Sequence, residues 1–310
     1  MALKIIFMGT PIFAVPILKS LYQNGYPITV VYTQPPKKSQ RGQKINKSPI
    51  QSMSENLNIE FRTPTLLLDN SEEYDFIKKL NADIAIVVAY GQIIPKKFLN
   101  LTKKGFINIH GSILPKWRGA APIQRSIMSL DEEIGISIMK IEEKLDSGPV
   151  SKIYRIKLDR NENAQSVSEK LSLLAADKIL DNIDDILDDK VQFIEQDHKN
   201  ATYAKKIKKT EGKINWGDEA ENILGKINGL YQIPGAFFNF NGERYKILKA
   251  EIGNGRGKIG EVLNDKLEIA CKDDKSIKIL EIQRQGKNPQ KINEFILGSQ
   301  IKKGSVIRDA

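Results

Sequence analysis

Three polar side chains in the middle of the chain have the types and the spacing needed for a transfer reaction. Asn108 and His110 stand two positions apart at the end of a short apolar run, and Asp146 follows within Leu145-Asp-Ser-Gly148. Because side chains alternate along a β-strand, Asn108 and His110 emerge on the same face and can reach one reacting atom. An amide donor, an imidazole and a carboxylate can stabilise an oxyanion and move a proton, which favours acyl-type transfer.

Each of these residues also has a purely structural interpretation. A single histidine is more often a buried structural group than a catalyst, and Asp-Ser-Gly is an ordinary turn sequence. Here, however, His110 leads into Gly111-Ser112 and then Leu114-Pro115. Glycine and proline fix the backbone of such a loop and leave amide groups free. Taken together, the arrangement favours catalysis.

Further motifs surround the trio and extend beyond it. They are Asn108-x-His110-Gly-Ser-x-Leu-Pro115, Trp117-Arg-Gly-Ala-Ala-Pro-Ile-Gln124, Leu145-Asp-Ser-Gly148, Phe7-Met-Gly-Thr-Pro-x-Phe-Ala14, Val87-Val-Ala-Tyr-Gly91, Tyr203-Ala-Lys and Ile214-Asn-Trp216. With these motifs the chain resembles the folate-dependent formyltransferases. The trio is shared across that family, so it identifies the reaction but gives little evidence about the acceptor.

The resemblance implies a donor, an acceptor and roles for residues. The reaction it implies moves the formyl group of 10-formyltetrahydrofolate to the α-amine of methionine on initiator tRNA, for translation initiation, and leaves tetrahydrofolate. Asn108, His110 and Asp146 are then catalytic. Arg118 is expected to brace the loop 116–119 rather than to react. The folate contacts it implies are Ser112, Ile113, Leu114 and Pro115, with Tyr90, Gly91 and Gln92 lining the pterin pocket or forming a strand-ending turn.

A basic segment near the start of the chain is too long for a simple connection. Residues 35–47 contain no acidic side chain and five basic ones: Lys37, Lys38, Arg41, Lys44 and Lys47. A connection from strand to helix needs about two to six residues, and a solvated loop is the alternative interpretation. In the resembled enzymes this loop inserts against the tRNA acceptor stem, which predicts tRNA contacts for these five residues, with Arg41 at the key position.

Length, charge and cysteine content limit the class of protein. A chain of 310 residues predicts two domains. No apolar run is long enough to span a membrane, the single cysteine cannot form an internal disulfide, and no Cys/His cluster has zinc spacing. We therefore expect a cytoplasmic protein without a metal. A monomer is also expected. Residues 204–310 carry 21 basic and 14 acidic side chains, which is +7 of the net charge of +10, and this favours a polyanionic partner.

The apolar pattern predicts an α/β fold. The sequence predicts a strand at Lys4–Met8, then a loop, a helix at Phe13–Leu21 and a second strand at Ile28–Thr33. This order indicates a Rossmann-like, doubly wound parallel sheet. Gly9 stands alone, so the dinucleotide-binding fingerprint is missing and no nicotinamide cofactor is expected. Later elements are predicted at Ile84–Val88, Phe106–Ile109, Pro122–Leu130 and Ala164–Ile186.

The C-terminal part has a different pattern. After a helix at Glu219–Leu230, five short strands are predicted: Phe237–Phe240, Tyr245–Glu251, Gly260–Val262, Leu267–Ala270 and Ile277–Ile282. Short strands between Gly and Asn turns fit a small β-barrel, which the resemblance implies is OB-like. The predicted domains are a catalytic domain over 1–194, a linker over 195–212 and an OB-like tRNA-binding domain over 213–310.

Two other functions remain open from the sequence. One is a folate-dependent formyltransferase with a small amine acceptor, such as a ribonucleotide or an amino sugar, although that acceptor requires neither the basic insert nor a basic barrel. The other is a non-catalytic nucleic-acid-binding protein, which gives no reason to keep Asn108, His110 and Asp146 together.

Overall fold

The computed structural model describes residues 2–39 and 44–308. They form two compact units, each described here by itself. Unit 1 comprises Met1–Ala120, Gly135–Ile156 and Ser168–Ala204, and unit 2 comprises Ala121–Ile134, Lys157–Val167 and Lys205–Ala310. Thus two inner segments pack with the C-terminal residues, and residues 195–204 pack with unit 1. The predicted boundaries at 194 and 213 stay a prediction.

Among the residues that the structure describes, eleven strands lie wholly or mostly in unit 1. They are β1 (Ile5–Gly9), β2 (Ile28–Tyr32), β3 (Lys37–Ser39), β4 (Lys44–Asn46), β5 (Phe61–Arg62), β6 (Ile84–Val88), β7 (Phe106–His110), β8 (Arg118–Gly119), β9 (Glu133–Lys140), β10 (Val150–Lys157) and β11 (Tyr203–Ala204). Unit 2 contains β12 (Ala236–Phe240), β13 (Glu243–Gly253), β14 (Glu268–Ala270), β15 (Ser276–Arg284) and β16 (Gln290–Lys291).

The α-helices of the described residues are α1 (Val15–Gln23), α2 (Pro49–Asn56), α3 (Ser71–Leu80), α4 (Lys96–Leu99), α5 (Pro122–Met128), α6 (Ala164–Leu187), α7 (Ala220–Gly229) and α8 (Ile292–Phe295). Short 3₁₀ helices are found at Ile12–Ala14, His198–Asn200, Lys209–Gly212 and Ile296–Gly298. Within the described residues, no helix combines the length and the apolar character that crossing a bilayer requires.

The central sheet of unit 1 is mostly parallel. Its order is β10-β9-β7-β6-β1-β2-β5. Strands β2 and β6 both pair with β1 in parallel, β7 pairs with β6 in parallel, and β9 pairs with β7 antiparallel. After β1, the chain adds β2 and β5 on one side of β1 and then adds β6 on the other side. The direction in which strands are added therefore reverses at β1, and ligands bind at such switch points in open α/β sheets. The predicted doubly wound α/β architecture is confirmed.

Apolar runs explain why the sheet is covered on both faces. Strands β1, β6 and β7 are buried along their whole length, as expected of parallel strands with helices on either side. Helix α1 has a proline in its first turn, where no amide partner is lost, and buries Ile17, Leu18 and Leu21. Helix α2 is capped at its N-terminus by Ser48, whose hydroxyl accepts a hydrogen bond from the Gln51 amide.

Unit 2 contains a curled antiparallel sheet of the half-barrel type. Its order is β12-β13-β15-β14, with β16 on β15, and the pairing of β13 with β15 shifts register between Ile247 and Ala250. Such irregularities bend a sheet. The predicted strand at Gly260–Val262 is wrong: Glu261 and Val262 form only isolated bridges. Strand β16 was not predicted, because two residues give no period.

Candidate active site

Strand β7 places Asn108 and His110 at the carboxyl end of the parallel strands. Both side chains are buried, with 9% and 7% of their surface exposed. His110 pairs with Ser137 of β9, and the Ser137 hydroxyl donates to the Ser112 carbonyl at 2.7 Å while accepting the Leu114 amide at 3.1 Å. Strand β9 therefore fixes the loop that leaves β7.

The carboxylate of Asp146 faces both residues of β7. Its Oδ2 lies 3.7 Å from Nδ1 of His110, and its Oδ1 accepts from Nδ2 of Asn108 at 3.5 Å. These distances are at or beyond the limit of a hydrogen bond. The three groups therefore face one another without strong hydrogen bonds between them. The structure brings the predicted trio together.

The second nitrogen of His110 is already engaged. Nε2 lies 2.9 Å from the carbonyl oxygen of Trp117, and a carbonyl oxygen only accepts, so Nε2 carries a proton. The atom that turns toward Asp146 is then Nδ1. It accepts in the neutral imidazole and donates in the imidazolium, which are the two states that a proton-transfer group needs.

Asp146 is held by the backbone of β8. The Gly119 amide donates to Oδ2 of Asp146 at 2.8 Å, and Asp146 itself has a left-handed backbone with φ of 47°. Strand β8 pairs in parallel with β11. Gly119 has φ of 122°, and a Cβ there would lie 2.8 Å from the Ala204 carbonyl oxygen, so only glycine suits this approach.

Arg118 and its partners were only partly foreseen. Arg118 was expected to brace its own loop, but its guanidinium donates to Oε1 of Gln196 and lies 2.9 Å from Nδ1 of His198. The Trp117 amide donates to Oγ1 of Thr202 at 2.9 Å. Gln196, His198 and Thr202 were missed because they lie in a segment without apolar periodicity. The available signal in the sequence was that His198 is one of only two histidines.

The predicted pterin-pocket residues lie at the switch point of the sheet. Thr10 donates to the Tyr90 carbonyl at 2.7 Å, and Nε2 of Gln34 donates to the carbonyls of Tyr90 and Gly91 at 3.2 and 2.8 Å. Gln92 donates to the Pro64 carbonyl at 2.8 Å. The buried Tyr90 hydroxyl and Oε1 of Gln92 have no hydrogen-bond partner among the described residues. Burial, and then the charge of Glu73, raises the pKa of Tyr90, which keeps its hydroxyl neutral.

The loop predicted to contact folate is compact. The Ser112 hydroxyl donates to the Lys116 carbonyl at 2.6 Å, and Leu114 packs against Met139 and Val150. Ile113 and Pro115 are half-buried. The side chains of Ser112 and Leu114 thus make contacts within the protein that stabilise the loop. Contact with folate by residues 112–115 stays a prediction.

The basic insert contains a short antiparallel hairpin. Strands β3 and β4 pair Lys37 with Asn46 and Ser39 with Lys44, and Lys38 lies within β3. Arg41 lies outside the described residues. Lys37 donates to Oε1 of Gln34. Lys47 forms an ion pair with Glu55 at 2.8 Å, and this lysine holds the pKa of the Glu55 carboxyl below its usual range. Lys37 and Lys47 thus each have a partner within the protein.

Two other observations bear on ligands. A groove of about 630 Å³ in unit 1 is lined by residues that include Lys96, Thr102 and Phe193. It reaches Phe106, at the opposite end of β7 from His110, so it is separate from the trio. Among the described residues, no group of three or more His, Cys, Asp or Glu side chains is placed to hold a metal ion.

Comparison with known proteins identifies the family to which this sequence is similar. Residues 3–183 match the formyl transferase family and residues 206–300 match the formyl transferase C-terminal domain. The chain is 67% identical over 307 residues to methionyl-tRNA formyltransferase of Pelagibacter ubique (strain HTCC1062), covering 99% of both proteins. It is 39% identical over 306 residues to that of Brucella abortus (strain S19), covering 97% of this chain and 99% of the relative.

Solved structures share the fold at much lower identity. A sugar 3N-formyl transferase, WlaRD, superposes with a TM-score of 0.70 at 20% identity, and the match covers 93% of this chain and 100% of that one. Matches to both domain models and high identity along the whole length lead to one conclusion: the chain belongs to the formyl transferase family.

Proposed function

We propose that this protein transfers the formyl group of 10-formyltetrahydrofolate to the α-amine of methionine on initiator tRNA. The observation that carries the proposal is the 67% identity to a methionyl-tRNA formyltransferase over 99% of both chains. The meeting of Asn108, His110 and Asp146 at the end of β7 supports it. The proposed place of action is the cytoplasm, where charged tRNA meets the ribosome.

The trio has three tasks in this reaction. The attacking amine must be neutral, the formyl oxygen gains negative charge, and the folate nitrogen must leave with a proton. Asn108 donates an amide hydrogen bond toward the formyl oxygen. The His110 imidazolium, whose Nε2 donates to the Trp117 carbonyl oxygen, gives its Nδ1 proton to the folate nitrogen as that nitrogen leaves, and the proton taken from the amine by Asp146 replaces it. Asp146 supports the imidazolium and accepts the proton of the amine.

The switch point of the sheet is the proposed folate site. Bound folate supplies the activated formyl group. Tyr90, Gly91 and Gln92 would hold the pterin ring, and residues 112–115 would line the approach to the trio. The unpartnered Tyr90 hydroxyl and Gln92 oxygen are polar atoms suited to a heterocycle with donors and acceptors. Gly91 has a left-handed backbone with φ of 81°, and a Cβ there would clash with Nε2 of Gln34, so glycine lets Gln34 hold this turn.

The acceptor is the point on which the alternatives differ. A small amine acceptor requires no basic hairpin at residues 37–46 and no excess of lysine in residues 205–310. Both are present, and both suit a phosphate backbone, which basic groups bind without reading sequence. The sugar formyl transferase shares 20% identity, which supports a common fold and not a common acceptor.

An acceptor assay tests the proposal. Purified protein and labelled 10-formyltetrahydrofolate are offered methionyl initiator tRNA, methionyl elongator tRNA, free methionine and a nucleotide-linked amino sugar. We expect label on methionine of the initiator tRNA, at a rate far above that for free methionine, and a rate with Asp146→Asn that is strongly reduced but still measurable. Preferred labelling of the amino sugar would establish the small-acceptor alternative. Absence of label on every acceptor would reject formyl transfer itself.

A further inference from the structure

The side-chain amide of Gln196 joins Arg118 to the turn that carries Asp146. Its Nε2 donates to the carbonyl oxygens of Asp146 and Gly148 at 2.9 and 2.7 Å. Its Oε1 accepts from Nε and Nη2 of Arg118 at 3.1 and 2.7 Å. A primary amide offers two hydrogens and one oxygen with two lone pairs. All of them are used, in a side chain that is 8% exposed.

Chemistry fixes the direction of this link. A guanidinium only donates and backbone carbonyls only accept, so the oxygen of Gln196 must face Arg118 and its nitrogen must face the turn. Arg118 is 4% exposed, and its Nη2 also donates to Nδ1 of His198. A buried charge holds the groups that hydrogen-bond to it in one geometry, because moving them away leaves a costly unsatisfied group.

The turn needs such an anchor. Asp146 adopts a left-handed backbone, which is unfavourable for a residue other than glycine unless its surroundings hold it. The neighbouring Leu145 is 62% exposed, so burial of that side chain contributes little. Gly119 holds the carboxylate of Asp146, and Gln196 holds the carbonyls on either side of Ser147. The two contacts together fix where the carboxylate faces β7.

We propose that Gln196, oriented by Arg118, is a positioning residue for formyl transfer, holding the backbone of Asp146 and Gly148 so that the carboxylate faces His110 and Asn108. The inference rests on the proposed function for its catalytic readout. Gln196 does not touch the reacting atoms. It acts through Asp146, and that dependence can be tested.

Gln196→Glu reverses the contact with the turn while keeping the contact with Arg118. One carboxylate oxygen still accepts from the guanidinium, now in a charge-assisted bond, and the other replaces the donor that faced two carbonyl oxygens. We expect kcat to fall by about tenfold to a hundredfold, the range caused by displacing a group by about 1 Å. The KM values for folate and for tRNA should change less than about twofold.

Two further variants control the experiment. Gln192→Glu makes the same change of charge at an exposed position in the same segment and should leave kcat at the wild-type value. Gln196→Met keeps the length without donors or charge, so it carries the test if the glutamate variant does not fold, as judged by circular dichroism. Wild-type kcat in both Gln196 variants would overturn the proposal.

A double-mutant cycle separates positioning from a general structural effect. When Asp146→Asn has already removed the carboxylate, Gln196→Glu should lower the remaining rate by less than about threefold, because residues that act as a unit are not additive. An equal fold reduction in both backgrounds would show that Gln196 acts elsewhere, and would overturn the proposal.

A second readout needs no catalytic activity. The amide of Gly119, which donates to Asp146, should exchange its hydrogen faster in Gln196→Glu than in Gln192→Glu, because a released turn withdraws the acceptor. If wild-type protein formylated no acceptor, the proposed function would fail while this exchange experiment still decided the positioning role. Equal exchange of the Gly119 amide in the two variants would overturn it.

Discussion

The Nε2 atom of His110 lies 2.9 Å from the carbonyl oxygen of Trp117, seven residues further along the chain. This contact assigns the Nε2 proton and leaves Nδ1 to work with Asp146. Trp117 has a left-handed backbone with φ of 62°, and its own amide is held by Thr202. The tautomer of the histidine is therefore set by a backbone that a distant segment keeps in place.

His110→Ala and Asn108→Ala should each lower kcat by about a hundredfold or more, because a donor to a developing oxyanion contributes roughly 2.7 to 4 kcal/mol. Affinity for tRNA, measured by filter binding, should hardly change. Steady-state formylation measures kcat. Near-normal turnover in either variant would remove that residue from the catalytic group.

Asp146→Asn should be at least as damaging. The amide keeps the shape of the side chain but loses the negative charge that supports the imidazolium and the ability to take a proton from the amine. The dependence of kcat on pH, recorded for wild type and variant, should change as well. An unchanged rate with an unchanged profile would leave Asp146 as a turn residue.

Arg41→Ala should weaken tRNA binding and leave folate binding intact. Each phosphate contact releases counterions, so the slope of log affinity against log salt should become shallower by about 0.7 to 0.9 when one contact is lost. Affinity measured across a salt series gives the slope, and folate affinity at one salt concentration is the control. Equal slopes would favour a solvated segment and a small acceptor.

Gly119→Ala should reduce both stability and turnover. The new Cβ would lie 2.8 Å from the Ala204 carbonyl at a backbone with φ of 122°, which we expect to cost about 1–3 kcal/mol. Movement of β8 would also withdraw the amide from Asp146. Gly105→Ala is a matched control, since Gly105 has φ of 82° with nothing within 4 Å of a Cβ. Urea denaturation and kcat are measured for both. Wild-type kcat in Gly119→Ala would show that the Gly119 amide is dispensable.

Local patterns predicted much of this fold. Strand β6 was predicted at its observed ends, and α6 to within one residue, because long apolar runs and long helical periods are strong signals. The alternation of side chains along a strand was enough to predict that Asn108 and His110 lie on one face. What those patterns could not supply was the anchor of Asp146, since Gln196 is fifty residues from it and belongs to no periodic element. Strands β8 and β11, with two residues each, were missed for the same reason.

The pairing of β8 with β11 also orders the assembly of the site in time. A chain synthesised from its N-terminus can complete β1, β6 and β7, with Asn108 and His110 buried at the strand end, while residues 196–204 do not yet exist. At that stage the Asp146 turn lacks Gln196, and the amide of Gly119 lacks the ladder that steadies it. The residues that anchor Asp146 are thus synthesised after every strand of the central sheet, and the site can reach its final geometry only once residues 196–204 are in place.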